Sequence, residues 1–86
     1  MKFQGAVIRE QGVTFAVVVV KPHVLSSHSE SESTARSFMS VFPGMPVVLM
    51  AQDGNGIPTY FGRKDIAKFL ANIHISQIPW KEYTVK

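Results

Sequence analysis

Three kinds of side chain in this chain of 86 residues could carry chemistry: imidazoles, hydroxyls, and bases interleaved with aromatics. The imidazoles are His23, His28 and His74. No two of them sit four apart on a helix, and the His-Glu-x-x-His spacing of a zinc site does not occur. A metal would need all three to converge, or help from Glu30 and Glu32, so no metal is expected. Serines are plentiful, but a Gly-x-Ser-x-Gly elbow is missing. The aspartates are Asp53, in a turn, and Asp65, in the first turn of a helix, where each has a structural use. A Ser-His-Asp hydrolase is therefore not expected.

Ser27 stands three before Glu30, and Ser29 three before Glu32. An acidophilic kinase reads that spacing, but so does a helix capping box, which is the reading adopted. The glycines form no phosphate-cradling motif. Gly62-Arg63-Lys64 does place two cations where a helix begins, a candidate anion pocket. Around it, Tyr60, Phe61, Arg63, Lys64 and Lys68 mix rings and bases, with Trp80 and Lys81 as possible neighbours. Stacking plus phosphate contacts is how single strands are held, so Tyr60, Arg63, Lys64 and Lys68 are the candidate anion or nucleic-acid contacts. The net charge of +3 is mild for that role. There is no cysteine, which removes disulfides, thiolate metal sites and thiol redox chemistry. No cofactor is expected.

The elements that must position these groups start from Val13–Val20, eight uncharged residues that are almost all β-branched or aromatic. The run lacks alternation, so both of its faces need cover. It is far shorter than the ~20 apolar residues of a membrane helix. Lys2 to Arg9 reads as a strand before it, joined by a tight hairpin at Gln11-Gly12. Lys21-Pro22 stops the second strand. A helix begins near Ser27 or Ser29 and carries Ala35, Phe38, Met39 and Phe42 on one stripe, until Pro43-Gly44 ends it. Pro46 to Gln52 is a third strand, apolar on both faces. Asp53-Gly54-Asn55-Gly56 turns the chain into a fourth, Ile57 to Phe61, where Pro58 suggests an edge. A second helix follows Gly62 and presents Ile66, Phe69, Leu70 and Ile73. Residues 75–86 are apolar enough, through Ile78, Trp80, Tyr83 and Val85, to pack as an extended arm or short fifth strand.

The order Met45-Pro46-Val47-Val48-Leu49-Met50, then Asp53-Gly54, then Gly62 and the helix Ile66–Ile73 resembles the C-terminal half of a thioredoxin-like domain. That family has a proline-led strand, a hairpin and a final helix in the same order. The family's Cys-x-x-Cys is absent here, so the resemblance implies a local plan and no redox role. One helix joins Val20 to Pro46 where that family has a strand between two helices.

The expected fold is α+β: a two-layer ββαββα domain spanning residues 1–86, with a mostly antiparallel sheet of four or five strands and both helices on one face. A chain of this size buries only about 60–65% of its unfolded surface. Charged residues make up 17%, a low share for covering apolar surface. Both points suggest that a second copy covers the open sheet face. Phe15, Val17, Val19, Trp80 and Tyr83 are the expected interface. The leading functional expectation is a small non-catalytic binding or assembly module, cytoplasmic and homo-oligomeric, with a further protein partner possible and no membrane. Nucleic-acid binding through the second helix is the first alternative. A divergent enzyme or small-ligand pocket is the second.

Overall fold

The computed structural model describes residues 1–85. The last residue of the expected C-terminal arm, Lys86, lies outside the described residues. Five strands form one mixed sheet in the order β4-β3-β2-β1-β5. They are β1 (Lys2–Glu10), β2 (Val13–Val19), β3 (Val47–Gln52), β4 (Pro58–Phe61) and β5 (Lys81–Thr84). Two helices, α1 (His28–Met39) and α2 (Lys64–Ala71), complete it, with short 3-10 turns at Pro22–Ser26 and Ile75–Gln77. The class is α+β, the ββαββα order holds, and the sheet is antiparallel except between β2 and β3. Among the described residues, no helix is long and apolar enough to cross a membrane.

Local chemistry sets the corners. Gln11 and Gly12 both take positive φ, 52° and 79°, so the two-residue loop has the twist that matches its strands. Glu10 and Val13 close that hairpin. At the second turn the Asp53 carboxylate accepts the N–H groups of Asn55 at 2.8 Å and Ile57 at 3.0 Å. Ser27 caps α1, accepting the Glu30 N–H at 3.4 Å, which selects it over Ser29.

The helices take opposite faces of the sheet, and here the expected two-layer arrangement is corrected. Ala16, Val18, Val47 and Leu49 pack with Phe38 and Phe42 of the α1 side. Phe15, Val17, Val48 and Met50 pack with Ile66 and Leu70 of the α2 side. Residues of opposite parity on one strand point to opposite faces, so the sheet lies between the helices. Topology supplies the reason. β2, α1 and β3 form a crossover between adjacent parallel strands, which parks α1 on one face. β4 and β5 lie at opposite edges of the sheet, and the chain between them crosses the other face, carrying α2 with it.

This arrangement covers the central strands from within the chain. Ala16, Val17, Val18, Val48 and Leu49 are all fully buried. The cover assigned to a second copy is supplied by α1 and α2 themselves. The C-terminal arm becomes β5, pairing antiparallel with Lys2–Gly5 of β1. Gly5 is closely approached there: a Cβ would sit 3.0 Å from the Val17 carbonyl oxygen and 3.2 Å from the Phe3 ring.

Candidate functional site

β4 is an edge strand, as Pro58 suggested. Asp53 donates its N–H to the Ile57 carbonyl at 3.1 Å, so the odd residues of this segment aim their backbone groups at β3. Tyr60, one residue out of phase, therefore directs its N–H and C=O away from the sheet. Pro58 offers only a carbonyl there. The corner after β4 runs tightly against β3. A Cβ on Gly62 would meet Val48 Cγ2 at 2.9 Å and the Val48 Cα at 3.2 Å, so only glycine lets the chain turn into α2 at this place.

Because α1 and α2 occupy opposite faces, both overhang this edge. They leave an open groove of about 700 Å³ along β4. One wall is His28, Glu32, Ala35, Arg36 and Met39 of α1; the other is Lys64 and Ala67 of α2. Tyr60, Phe61 and Gly62 form the floor. Met39 is 51% exposed, although the spacing of its stripe placed it in the core. The helix ends at Met39, so Phe38 and Phe42 take the buried positions and Met39 hangs over the groove. Glu32 is held by His28 Nε2 at 2.9 Å, and the His28 ring stands edge-on to Phe61. Among the described residues neither Arg36 nor Lys64 makes an ion pair.

The candidate contacts read from the sequence divide between different surroundings. Lys64 lines the groove. Arg63 is committed to Asp65, with its Nε 3.0 Å from one carboxylate oxygen and Nη2 2.6 Å from the other. That bond is the main reason the Asp65 carboxyl is held below its ordinary range, and it raises the already high Arg63 value. Lys68 borders a separate hollow beside Glu10, Asp65 and Phe69. Tyr60 keeps its hydroxyl buried with no hydrogen-bond partner among the described residues, and burial pushes that phenol up from 10.0. A stacking platform needs an exposed ring, and the Tyr60 ring is half-buried on the groove floor. The Gly62-Arg63-Lys64 anion pocket loses Arg63 to Asp65 in the same way.

Of the five expected interface residues, Phe15 and Val17 are buried within the chain, and Val19, Trp80 and Tyr83 are half-buried. Phe15 and Val17 lie under α2 and are 2% and 0% exposed. Val19 packs beside the same core. The Trp80 indole donates to the Ile75 carbonyl at 3.0 Å. Tyr83 stacks on Phe3, ring centres 5.2 Å apart, and meets Phe42 edge-on. The three histidines stay dispersed: His23 faces Glu30, His28 faces Glu32, and His74 caps the last 3-10 turn with Gln77. Among the described residues no three potential ligands come together around a metal position.

The α1 wall of the groove was not legible in the sequence. Arg36 stands in a serine-rich helix, and only the placing of both helices against one strand edge brings it near Lys64. No family model, characterised protein or solved structure matches this chain.

Proposed function

We propose that the chain is a small, non-catalytic binding module whose working surface is the β4 edge between α1 and α2, and whose ligand is an extended acidic peptide. The observation that carries this reading is the open edge itself. Tyr60 presents an unpaired N–H and C=O at the floor of a groove walled by both helices. Such an edge adds a further strand by main-chain hydrogen bonds, while alternate side chains of the ligand fall on either wall. Arg36 and Lys64, which make no ion pair among the described residues, stand on the two walls and select an acidic residue. Met39 and Ala35 offer apolar contact beside them. The shortness of β4 and Pro58 at its start limit the ladder to a few bonds, which suits a transient partner and guards against uncontrolled sheet growth. A cysteine-free fold held by packing alone suits the cytoplasm, the compartment we assign.

Titration of ¹⁵N-labelled protein with a capped Thr-Val-Glu-Val-Thr peptide tests the reading. Amide shifts are expected at Tyr60, Gly62, Lys64, Arg36 and Met39, weakening as salt is added. Arg36→Glu is expected to reduce affinity about tenfold, the size of one charge-assisted contact. Equal binding of the counterpart peptide with lysine in place of glutamate would remove the acidic selectivity. Shifts confined to other parts of the molecule, or none at all, would remove the site.

A further inference from the structure

The opposite edge of the sheet carries a second open segment with a different geometry. β1 runs from Lys2 to Glu10, but β5 pairs only with Lys2–Gly5. From Ala6 to Glu10 the outer side of β1 has no strand beside it among the described residues. Met1 and Val85 exchange both backbone hydrogen bonds at 2.8 Å, so the odd residues of β1 aim their N–H and C=O outward. Val7 and Arg9 therefore present unpaired backbone groups along this edge. Val7 is 41% exposed. The chain before β5 leaves the sheet here, because Ile78 turns into the core beneath α2.

We propose that this segment pairs with the same segment of a second copy, joining two five-stranded sheets across a two-fold axis. β5 fixes the register. A partner strand can lie only opposite Ala6–Glu10, since Gly5 already faces Lys81 and the hairpin turn starts at Gln11. Two identical strands confined to residues 6–10 and running antiparallel match in full in one way. Ala6 then faces Glu10 of the second copy, Val7 faces Arg9, and Ile8 faces Ile8. The parity agrees. Val7 and Arg9, whose groups point outward, form the hydrogen-bonded pairs, and Ile8 forms the close non-hydrogen-bonded pair at the axis. No like charges face each other, and the apolar Ile8 contact sits at the centre. The surface is independent of the β4 groove, which lies at the other edge.

Sedimentation equilibrium and single-cysteine cross-linking test the proposal. The wild-type chain is expected to pass from monomer to dimer as its concentration rises toward about a millimolar, the weak end of specific association. Val7→Pro removes an outward N–H and leaves the β1–β2 ladder intact, and it is expected to hold the protein monomeric with a native spectrum. The protein contains no cysteine, so any introduced thiol is the only one. Ile8→Cys is expected to form an intermolecular disulfide on mild oxidation, because facing non-hydrogen-bonded residues bring their Cα atoms to about 4.5 Å. Val7→Cys meets its own copy only diagonally and is expected to cross-link at least tenfold more slowly, as is Ile57→Cys, exposed elsewhere. A wild-type chain that stays monomeric throughout overturns the proposal. So does a dimer that survives Val7→Pro, or faster cross-linking by Val7→Cys than by Ile8→Cys. Peptide binding at β4 is read separately and decides nothing here.

Discussion

Replacing Tyr60 by phenylalanine is expected to make the protein more stable. The phenol oxygen is buried, and among the described residues no donor or acceptor reaches it. A buried polar group left without a partner costs about 1–3 kcal/mol. Removing it leaves a void smaller than one water, under about 15 Å³, and that void costs at most ~0.4 kcal/mol. The net expectation is a gain of about 1 kcal/mol or more. For a domain of this size 1 kcal/mol moves the midpoint by roughly 4–8 °C, well within calorimetric resolution. The alkaline limb gives a second readout. Burial raises the Tyr60 phenol above its ordinary value of 10.0, so above pH 10 the unfolded chain releases this proton more readily than the folded one. The folded state then holds more protons, and stability falls as pH rises through that window. Tyr60→Phe removes this slope, so its advantage over wild type is expected to widen above pH 10. Urea titrations at neutral pH and above pH 10 measure both effects. A variant less stable than wild type, or an advantage that shrinks in alkali, would show that the hydroxyl has a partner in solution and that the burial argument fails. Peptide affinity at the groove is expected to stay unchanged, because the ladder uses the Tyr60 backbone.

Three further substitutions probe the frame that holds the groove. Gly62→Ala drives a methyl into Val48 and is expected to destabilise by about 1–3 kcal/mol, measured by urea denaturation. Ser31, 1% exposed, shares its hydroxyl between the carbonyls of Val24 and Ser27, each at 2.9 Å, and Ser31→Ala is expected to cost about 1 kcal/mol. Leu70, fully buried where α2 meets the sheet, is expected to cost about 2–5 kcal/mol on Leu70→Ala and to broaden the amide signals of β4.

Short-range punctuation was legible in the sequence. Gln11-Gly12, Asp53 to Gly56 and Pro43-Gly44 all bend the chain where they stand, because a turn is decided by the φ its own residues tolerate. The apolar runs of β2 and β3 announced burial on both faces, and both faces are buried. What covers them was not legible. The serine-rich sequence of α1 has weak helix propensity, and its apolar positions alone could not say which face of the sheet they meet. With both helices read onto one face, the other needed a partner. Placing β4 and β5 at opposite edges removes that need, since the chain must cross the second face to join them. Strand order is a non-local property, and no residue encodes it by itself. The candidate site suffered for the same reason. Tyr60 and Lys64 were found because they are close in sequence, whereas Arg36 and Met39 reach the same groove only through the tertiary fold.

The two edges of this sheet are unlike in a way that bears on how the molecule can work. At β4 the free backbone belongs to a strand of four residues, begins at a proline, and lies between helices bearing Arg36 and Lys64. That geometry is asymmetric, and a second copy has no matching acidic strand: β4 itself carries no charge, β1 sets Glu10 beside Arg9, and β5 sets Glu82 beside Lys81. At β1 the open segment is bounded by a strand end and a hairpin, and its residues are complementary to themselves. A self-complementary segment closes on a two-fold axis and uses up its own open groups. A heterologous edge stays open for a different ligand. A protein using both presents one groove on each end of a continuous sheet, and paired grooves hold a repeated or dimeric target far more tightly than either holds alone.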